Sequence, residues 1–313
     1  MLKRQLVIIG GGPAGMGAAI SAYEAGVKDI LLIERDQYLG GILNQCVHTG
    51  FGLSYFKKNL TGPEYAHRFI EKIQAIDKIE VSLKSFAVKL TKEKELTFIK
   101  PGELKEIKAK ALIMATGARE RTREMIHIPG DRPSGIFSAG LAQKLINIEG
   151  LLPGEEVVIV GSGDIGLIMA RRFILEGAKV KAVIEIQKQS RGLSRNVVQC
   201  LEDFKIPFYL SHKVARIYGK KRVEKVDVVK VDEDLKAIPG SDFSLECDTI
   251  LISAGLISEN ELLETAGIEA GNISIPGLFV CGNAYKIYDL ADSVSQDALL
   301  AGKQAAEYLQ GLG

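Results

Sequence analysis

Near its start the chain carries four apolar residues, Leu6-Val-Ile-Ile9, that run straight into the glycine-rich stretch Gly10-Gly-Gly-Pro-Ala-Gly15 and then into the alanine-rich Met16–Ala25. Four partly β-branched residues are too few for a helix, so the pattern predicts strand, tight turn and helix. A second apolar run, Ile30-Leu-Leu-Ile33, predicts the next strand and ends in Glu34. Gly40–Gly52 is polar, irregular and bounded by glycines, and reads as a loop. A helix is expected to start at Thr61, because Thr61-Gly-Pro-Glu64 has the form of a capping box with proline in its first turn; Tyr65, Phe69, Ile73 and Ile76 then share one face. From Glu80 to Lys108 short alternating runs, among them Phe86–Leu90 and Glu95–Ile99, predict an antiparallel meander laid on the main sheet. Ala111–Ala118 reads as a buried parallel strand ending in the small residues Ala115-Thr-Gly117, where the chain can pass close to a ligand. Pro129, Gly130 and Pro133 mark a crossing into a new region.

The pattern then repeats. Val157-Val-Ile-Val160 leads into Gly161-Ser-Gly-Asp-Ile-Gly166, a helix through Ala170 and Phe173, and the strand Val180–Ile184 ending in Glu185. The first glycine and the strand-ending acid are 24 positions apart in both copies, Gly10 to Glu34 and Gly161 to Glu185. Two accidents of the same architecture and spacing are very improbable, so the chain is expected to hold two dinucleotide sites. Asp248–Gly255 resembles the Ala111–Ala118 strand end and lies at the close of the second region. Gly277–Ala284 predicts a short strand stopping at Gly282-Asn283, followed by a helix from about Asp292 with Val294, Ala298, Ala301, Ala305 and Leu309 on one side.

Each glycine of the motif has its own steric reason. Gly10 allows the sharp turn, Gly12 lets backbone approach a pyrophosphate, and Gly15 lets the helix pack closely on the strand. The phosphates then face unpaired N–H groups at the positive end of the helix. Glu34 is placed to accept hydrogen bonds from an adenosine ribose. At Glu185 a carboxylate accepts from both ribose hydroxyls and repels a 2′-phosphate, which favours NAD(H) over NADP(H). Arg191 and Arg195 lie close enough in sequence to soften that preference, though solvation is the commoner fate of such arginines. The polar Asn283, at a strand end facing a helix N-terminus, suits an extended polyol and the electron-rich edge of a flavin.

Composition narrows the rest. The 313 residues allow two ordinary domains, and a formal charge of +1 with evenly spread acidic and basic residues argues against a nucleic-acid or membrane footprint. No apolar run approaches a membrane span, and the first strand lies too near Met1 for a signal peptide, so a cytoplasmic location is expected. Cys46, Cys200, Cys247 and Cys281 are widely separated, with no Cys-x-x-Cys and no Cys/His cluster at metal-ligand spacing, so neither a metal site nor a local redox dithiol is expected.

As a set, Gly10-x-Gly-x-x-Gly15 with Glu34, Ala115-Thr-Gly-Ala118, Gly161-x-Gly-x-x-Gly166 with Glu185, and Gly277-Leu-Phe-Val-Cys-Gly-Asn283 resemble the two-dinucleotide-binding-domain flavoproteins, the pyridine nucleotide-disulfide oxidoreductases. The resemblance runs over essentially the whole chain, and the size is similar to the thioredoxin-reductase-like members. It implies an α/β fold of two Rossmann-like dinucleotide-binding domains, each with an antiparallel β-meander. The NAD domain, residues 119–246, would be inserted into an FAD domain made of residues 1–118 and 247–313. For FAD it implies Gly10, Gly12, Pro13, Ala14, Gly15, Glu34, Arg35, Gly41, Ile42, Cys46, Val88, Ala115, Thr116, Gly117, Gly282, Asn283, Ser295 and Gln296; for NAD it implies Gly161, Gly163, Asp164, Ile165, Gly166 and Glu185.

By the same family pattern, backbone N–H groups near Ser295, Gln296 and Asp297, at the start of the last helix, face the N1–C2=O edge of the flavin, with Gln296 the foremost candidate. Cys46 and His48 fall in the loop the family places beside the flavin ring. His48 is a candidate for proton relay, and Cys46 reads better as a packed thiol than as a redox centre. Tyr288 and Asp289 are placed to close the pocket or to lie on the surface. The family usually has Asp where this chain has Asn283, and the redox cysteine pair is missing from both places the family puts it, which implies that the chain is not a dithiol disulfide reductase.

More narrowly, Gly40–Gly52 followed by Leu60-Thr-Gly-Pro-Glu-Tyr65 looks like a subgroup that accompanies glycerol-3-phosphate dehydrogenases and is similar to the NAD-binding subunits of opine, cyanide-forming and amino-acid dehydrogenase complexes. This implies a subunit passing electrons between NAD(H) and a second flavoprotein dehydrogenase subunit, with an iron–sulfur or small cysteine-rich electron carrier as a further partner. Some relatives carry a cysteine-rich tail, which is not seen before Gly313. The rival expectations are a freestanding reductase of a small acceptor such as ferredoxin or quinone, and a non-catalytic nucleotide-binding scaffold.

Overall fold

The computed structural model describes residues 2–269 and 273–312, and the chain divides into two compact units, residues 1–119 with 257–313, and residues 120–256. In the first unit β1 (Leu2–Ile9) pairs in parallel with β2 (Ile30–Ile33) on one side and with Glu103–Met114 on the other. Leu6, Ile8, Leu32 and Ile113 point to one face and Val7, Ile9, Leu31 and Leu112 to the other, and both sets are buried, which is why these runs are apolar at every position. The first face is covered by α1 (Pro13–Glu24), α2 (Gly62–Gln74) and the last helix, Ala291–Gln310. α1 and the last helix approach closely because small residues meet: a Cβ on Gly302 would overlap the Ala18 carbonyl, and one on Gly17 would lie 3.5 Å from Ala298 Cβ.

The expected meander is present, but it continues the main sheet rather than lying on it. The sheet order is Ile79–Ser82, β2, β1, Glu103–Met114, Glu95–Lys100, Phe86–Leu90. The long strand Glu103–Met114 is shared: its first half is antiparallel to Glu95–Lys100, and Leu112–Met114 pairs in parallel with Leu278–Val280 from near the end of the chain. Alternation in the sequence predicts a strand without saying which edge it joins, so this branch was not legible. The loop Gly40–Gly52 is also more ordered than its composition suggests, with a 3-10 turn over Gly41–Gln45 and a short antiparallel pairing of Thr49–Phe51 with Leu60–Thr61.

The second unit contains a five-stranded parallel sheet in the order Ile136–Ser138, Thr249–Ile252, Glu156–Val160, Lys179–Glu185, Phe208–Leu210. Helices α3 (Ala139–Asn147) and α4 (Asp164–Leu175) bury Ala142, Ile146, Leu167 and Phe173 against it. A separate antiparallel sheet is formed by His212–Tyr218, Lys225–Lys230 and Phe243–Glu246. The boundary expected at 246 is therefore displaced to 256. Thr249–Ile252 pairs with both Glu156–Val160 and Ile136–Ser138 in the interior of the second unit's sheet, and cannot belong to the first unit. Among the described residues no helix is long and apolar enough to cross a membrane.

Candidate nucleotide-binding sites

Each unit carries the same cradle, built the same way. In the first, Gly10 has φ +108°, and a Cβ there would overlap the Ala115 carbonyl oxygen; a Cβ on Gly15 would overlap the Gly10 carbonyl. Gly12 differs, since the nearest atom to its added Cβ is Gly41 Cα at 4.0 Å. In the second, Gly161 (φ +97°) is pressed against the Ser253 carbonyl, Gly166 would place a Cβ 2.9 Å from the Gly161 oxygen, and Gly163 again faces open space, its nearest neighbour being Ser253 Oγ at 3.8 Å. The outer two glycines of each motif thus close the turn, and the middle one leaves room for a ligand. Neither α1 nor α4 has a side-chain N-cap, so the N–H groups of both first turns are left for a ligand, as an anion site requires.

The strand-ending acids are oriented alike. Glu34 is buried and accepts Gly11 N–H on Oε2 at 2.6 Å and Asp36 N–H on Oε1 at 2.8 Å. Glu185 is buried and accepts Ser162 N–H on Oε2 at 2.9 Å and Gln187 N–H on Oε1 at 2.8 Å. Each carboxylate keeps acceptor capacity for ribose hydroxyls, so the residues present fit an adenosine ribose in both units.

The other expected residues of the first unit converge only in part. Gly41 would place a Cβ 3.0 Å from Gly12 Cα, and Gly282 one 2.8 Å from Ala14 Cβ, so the loop and the late strand end both meet the glycine turn, with Pro13 opening the helix beside them. Asn283 accepts Tyr288 N–H on Oδ1 at 3.0 Å, so its amide oxygen is engaged by the chain itself. Ile42 is 60 % exposed. Thr116 Oγ1 donates to the Glu259 carbonyl, and Gly117 is flanked by open space. Arg35 pairs with Glu259 at 3.0 Å, and Val88 sits half-buried at a bulge between Ala87 and Lys89.

The flavin-edge candidates of the last helix are placed otherwise than the family pattern implies. The last helix begins at Ala291, so the N–H groups of Ser295, Gln296 and Asp297 lie in its second turn, inside the ladder, and the donors free at this end belong to its first turn. Ser295 is buried with Oγ accepting from Tyr65 OH at 2.8 Å, Asp297 accepts Gly282 N–H at 2.7 Å, and Gln296 is exposed. Cys46 is 8 % exposed, its thiol donates back to the Ile42 carbonyl at 3.3 Å, and burial pushes it up to about 12. Such a thiol stays protonated near neutrality and is a poor redox centre. His48 stacks at 5.1 Å on Phe51 with Nδ1 3.1 Å from the Thr49 carbonyl.

The residue that sequence reasoning missed is Asp292. Its buried carboxylate accepts Gly52 N–H at 3.0 Å, Ser54 N–H at 2.7 Å, Ser54 Oγ–H at 2.9 Å and Tyr55 N–H at 3.2 Å, so the start of the last helix grips the loop that follows His48. Behind that loop Tyr55, Phe56, Tyr65 and Phe69 stack with ring centroids 4.8–6.3 Å apart. The only sequence signal was an acid in the first turn of a helix, which reads as ordinary capping.

In the second unit, Asp164 Oδ1 accepts Leu193 N–H at 2.8 Å and Asn196 Nδ2–H at 2.7 Å. Its carboxylate secures the 190–196 segment, while Ile165 is half-buried against the core. Arg191 and Arg195 are exposed, Tyr288 is half-buried and Asp289 exposed. Among the described residues no group of three or more His, Cys, Asp or Glu is arranged to hold a metal.

The chain, with two such cradles and a buried acid at the strand end of each, matches the family "pyridine nucleotide-disulphide oxidoreductase" over residues 4–298. The chain belongs to that family. Its flavoproteins use FAD and NAD(P)H, so this member is an oxidoreductase of that class. Similar proteins include an opine oxidase subunit of Agrobacterium tumefaciens, 24 % identical over 96 % of this chain and 63 % of the relative, and the hydrogen cyanide synthase subunit HcnB of Pseudomonas protegens, 28 % identical over 84 % and 59 %. The chain thus spans about three fifths of the length of these relatives. Thioredoxin reductase of Listeria innocua is 26 % identical over 98 % of this chain and 94 % of its own. Among solved structures, thioredoxin reductase of T. acidophilum shares the fold with a TM-score of 0.74 at 20 % identity over the whole of both chains.

Proposed function

We propose that this family member exchanges a hydride between flavin and NAD(H), with FAD held by the first unit and NAD(H) by the second. We propose further that it is the NAD-linked electron-transfer subunit of a multi-subunit dehydrogenase whose partner is a glycerol-3-phosphate dehydrogenase-like flavoprotein. The observation that carries the reading is the duplicated cradle, in which Gly12 and Gly163, alone among the glycines of their motifs, leave ligand space and Glu34 and Glu185 sit buried at matching strand ends, each accepting the N–H of its motif's second residue. Bound FAD supplies the two-electron chemistry, exchanging a hydride with the nicotinamide.

The chain's own residues bind and orient. Glu34 accepts from the adenosine ribose, the open N-terminus of α1 receives the pyrophosphate, and Asn283 donates its amide hydrogens to the polyol. First-turn N–H groups of the last helix supply positive potential there. Glu185 favours NAD(H) over NADP(H). His48 and Gln296 are left as rim residues with no acid–base duty, because hydride exchange requires none.

The four cysteines are buried and none is in a disulfide, and Cys46, Cys200, Cys247 and Cys281 all have thiols raised first of all by burial. That supports a reading without dithiol–disulfide exchange, which needs an accessible thiolate. The relatives named as subunits of opine oxidase and hydrogen cyanide synthase support a heteromeric assembly. An iron–sulfur or small cysteine-rich carrier between the partners, and a cytoplasmic location, go with this reading. A second reading, a freestanding reductase of a small acceptor such as ferredoxin or quinone, is favoured by the nearly full-length likeness to thioredoxin reductase.

Anaerobic NADH should bleach the flavin band at about 450 nm, and NADPH should bleach it far more slowly. FAD-loaded protein whose spectrum NADH leaves unchanged sinks the hydride-exchange reading. Rapid turnover with a small acceptor and no partner favours the freestanding reductase. A non-catalytic scaffold is marked by Gly163→Ala, which fills the open space of the second cradle, leaving electron transfer intact.

A further inference from the structure

The two cradles differ at the position that follows the first glycine. Where the first has Gly11, the second has Ser162, which is fully buried, with Glu185 3 % exposed beside it. Gly11 can offer Glu34 only its N–H, whereas Ser162 grips the same oxygen of Glu185 twice, with its N–H at 2.9 Å and its hydroxyl at 2.6 Å. The hydroxyl is held in turn, since its oxygen accepts Arg191 N–H at 3.2 Å while the Ser162 carbonyl accepts Gly192 N–H at 2.9 Å. Glu185 therefore has one more anchor than its counterpart, supplied by a side chain that is itself immobilised.

We propose that Ser162 is a specificity-determining residue of the second site, acting through Glu185 to exclude nucleotides that carry a 2′-phosphate; this rests on the reading that the second unit binds NAD(H). A dianionic 2′-phosphate can be accommodated only if the Glu185 carboxylate turns away or takes up a proton. Turning away breaks the hydroxyl–carboxylate bond, and protonation removes the charge that makes it strong. A ribose 2′-hydroxyl needs neither change. One charge-assisted hydrogen bond sets the added discrimination at about tenfold or somewhat more.

The test uses the purified, FAD-loaded full chain and measures NAD+ and NADP+ binding by calorimetry, so that the readout is affinity rather than turnover. Ser162→Ala and Ser162→Gly, the latter reproducing the first cradle, are each expected to lower the NAD+ preference about tenfold, chiefly by tightening NADP+. Glu185→Gln removes most of the preference by itself, and Ser162→Ala added to Glu185→Gln then changes the ratio by less than about twofold, because no carboxylate is left to hold. The proposal is overturned if both Ser162 variants weaken the two nucleotides equally, or if Ser162→Ala shifts the ratio as much in the Glu185→Gln background as in the wild type. Either result leaves NAD(H) binding by the second unit standing. Wild-type protein that binds neither nucleotide defeats that reading and the proposal together.

Discussion

Asp292→Ala should release the loop that follows His48 without unfolding the rest of the first unit. The carboxylate takes three backbone N–H groups and one hydroxyl from Gly52, Ser54 and Tyr55. The Gly52 bond is buried and the others are part-buried, so orphaning them costs about 3 kcal/mol in total, the Gly52 N–H contributing the most. Local opening of this segment should therefore become about a hundredfold more frequent. Hydrogen exchange resolved at residues 52–55 is the assay, with the buried amides of β1 as an internal reference. Acid should do in part what the mutation does. Burial alone would raise the Asp292 carboxyl, but the donors from Ser54, Tyr55 and Gly52 outweigh it and hold it below its ordinary value of 3.8. A depressed folded pKa means that the anchor is fully present above about pH 4 and fades as pH falls below it, so the loop of the wild type should loosen in acid while that of the variant shows no such dependence. Equal exchange in wild type and variant at neutral pH would refute the reasoning, since the four bonds would then hold nothing in place.

Three further outcomes follow from the geometry. Gly12→Ala and Gly163→Ala should fold normally and lose nucleotide in their own unit, whereas Gly10→Ala and Gly15→Ala should lose stability because the new methyl meets backbone; melting temperature and flavin content separate the two classes, and a Gly12→Ala protein retaining full flavin contradicts the assignment of its open space. None of the four cysteines should react quickly with a thiol reagent at pH 8 in the native protein, and all four should react once it is unfolded, because burial holds Cys46 and Cys247 up to about 12 and raises the others; a single fast native thiol overturns this. Tyr65→Phe should cost about 1–2 kcal/mol by orphaning buried Ser295 Oγ, measured by denaturant titration of the first unit's transition, and no loss of stability would count against that bond.

The strand–turn–helix units were legible because each rests on local chemistry: a few apolar residues, glycines that close the turn, and an acid at a fixed distance. The capping box at Thr61 is present with both reciprocal bonds, Thr61 N–H to Glu64 Oε2 at 2.7 Å and Glu64 N–H to Thr61 Oγ1 at 3.4 Å. What escaped the sequence depends on partners far along the chain. The order in the 40–60 loop comes from Asp292, some 240 residues away, and no local pattern encodes that. Asp248–Gly255 reads as the close of the second region, at odds with a boundary at 246, and the pairing of Thr249–Ile252 with Glu156–Val160 and Ile136–Ser138 sets that boundary at 256. The helix start is legible to within a residue, Asp292 against Ala291, whereas the donors near Ser295 come from the family pattern alone and lie inside this helix's own ladder.

The shared strand Glu103–Met114 has a consequence for biosynthesis. Its far half waits for Leu278–Val280, and α1 waits for the last helix, so the first unit to begin synthesis is the last to be completed. Residues 120–256 are contiguous and hold the partners of their five-stranded and three-stranded sheets among themselves, so those sheets can settle while the remainder is still on the ribosome. A nascent chain arrested before residue 278 would carry a finished inner unit and an outer one with an apolar flank of β1 and α1 uncovered, a natural client for chaperones until the tail arrives.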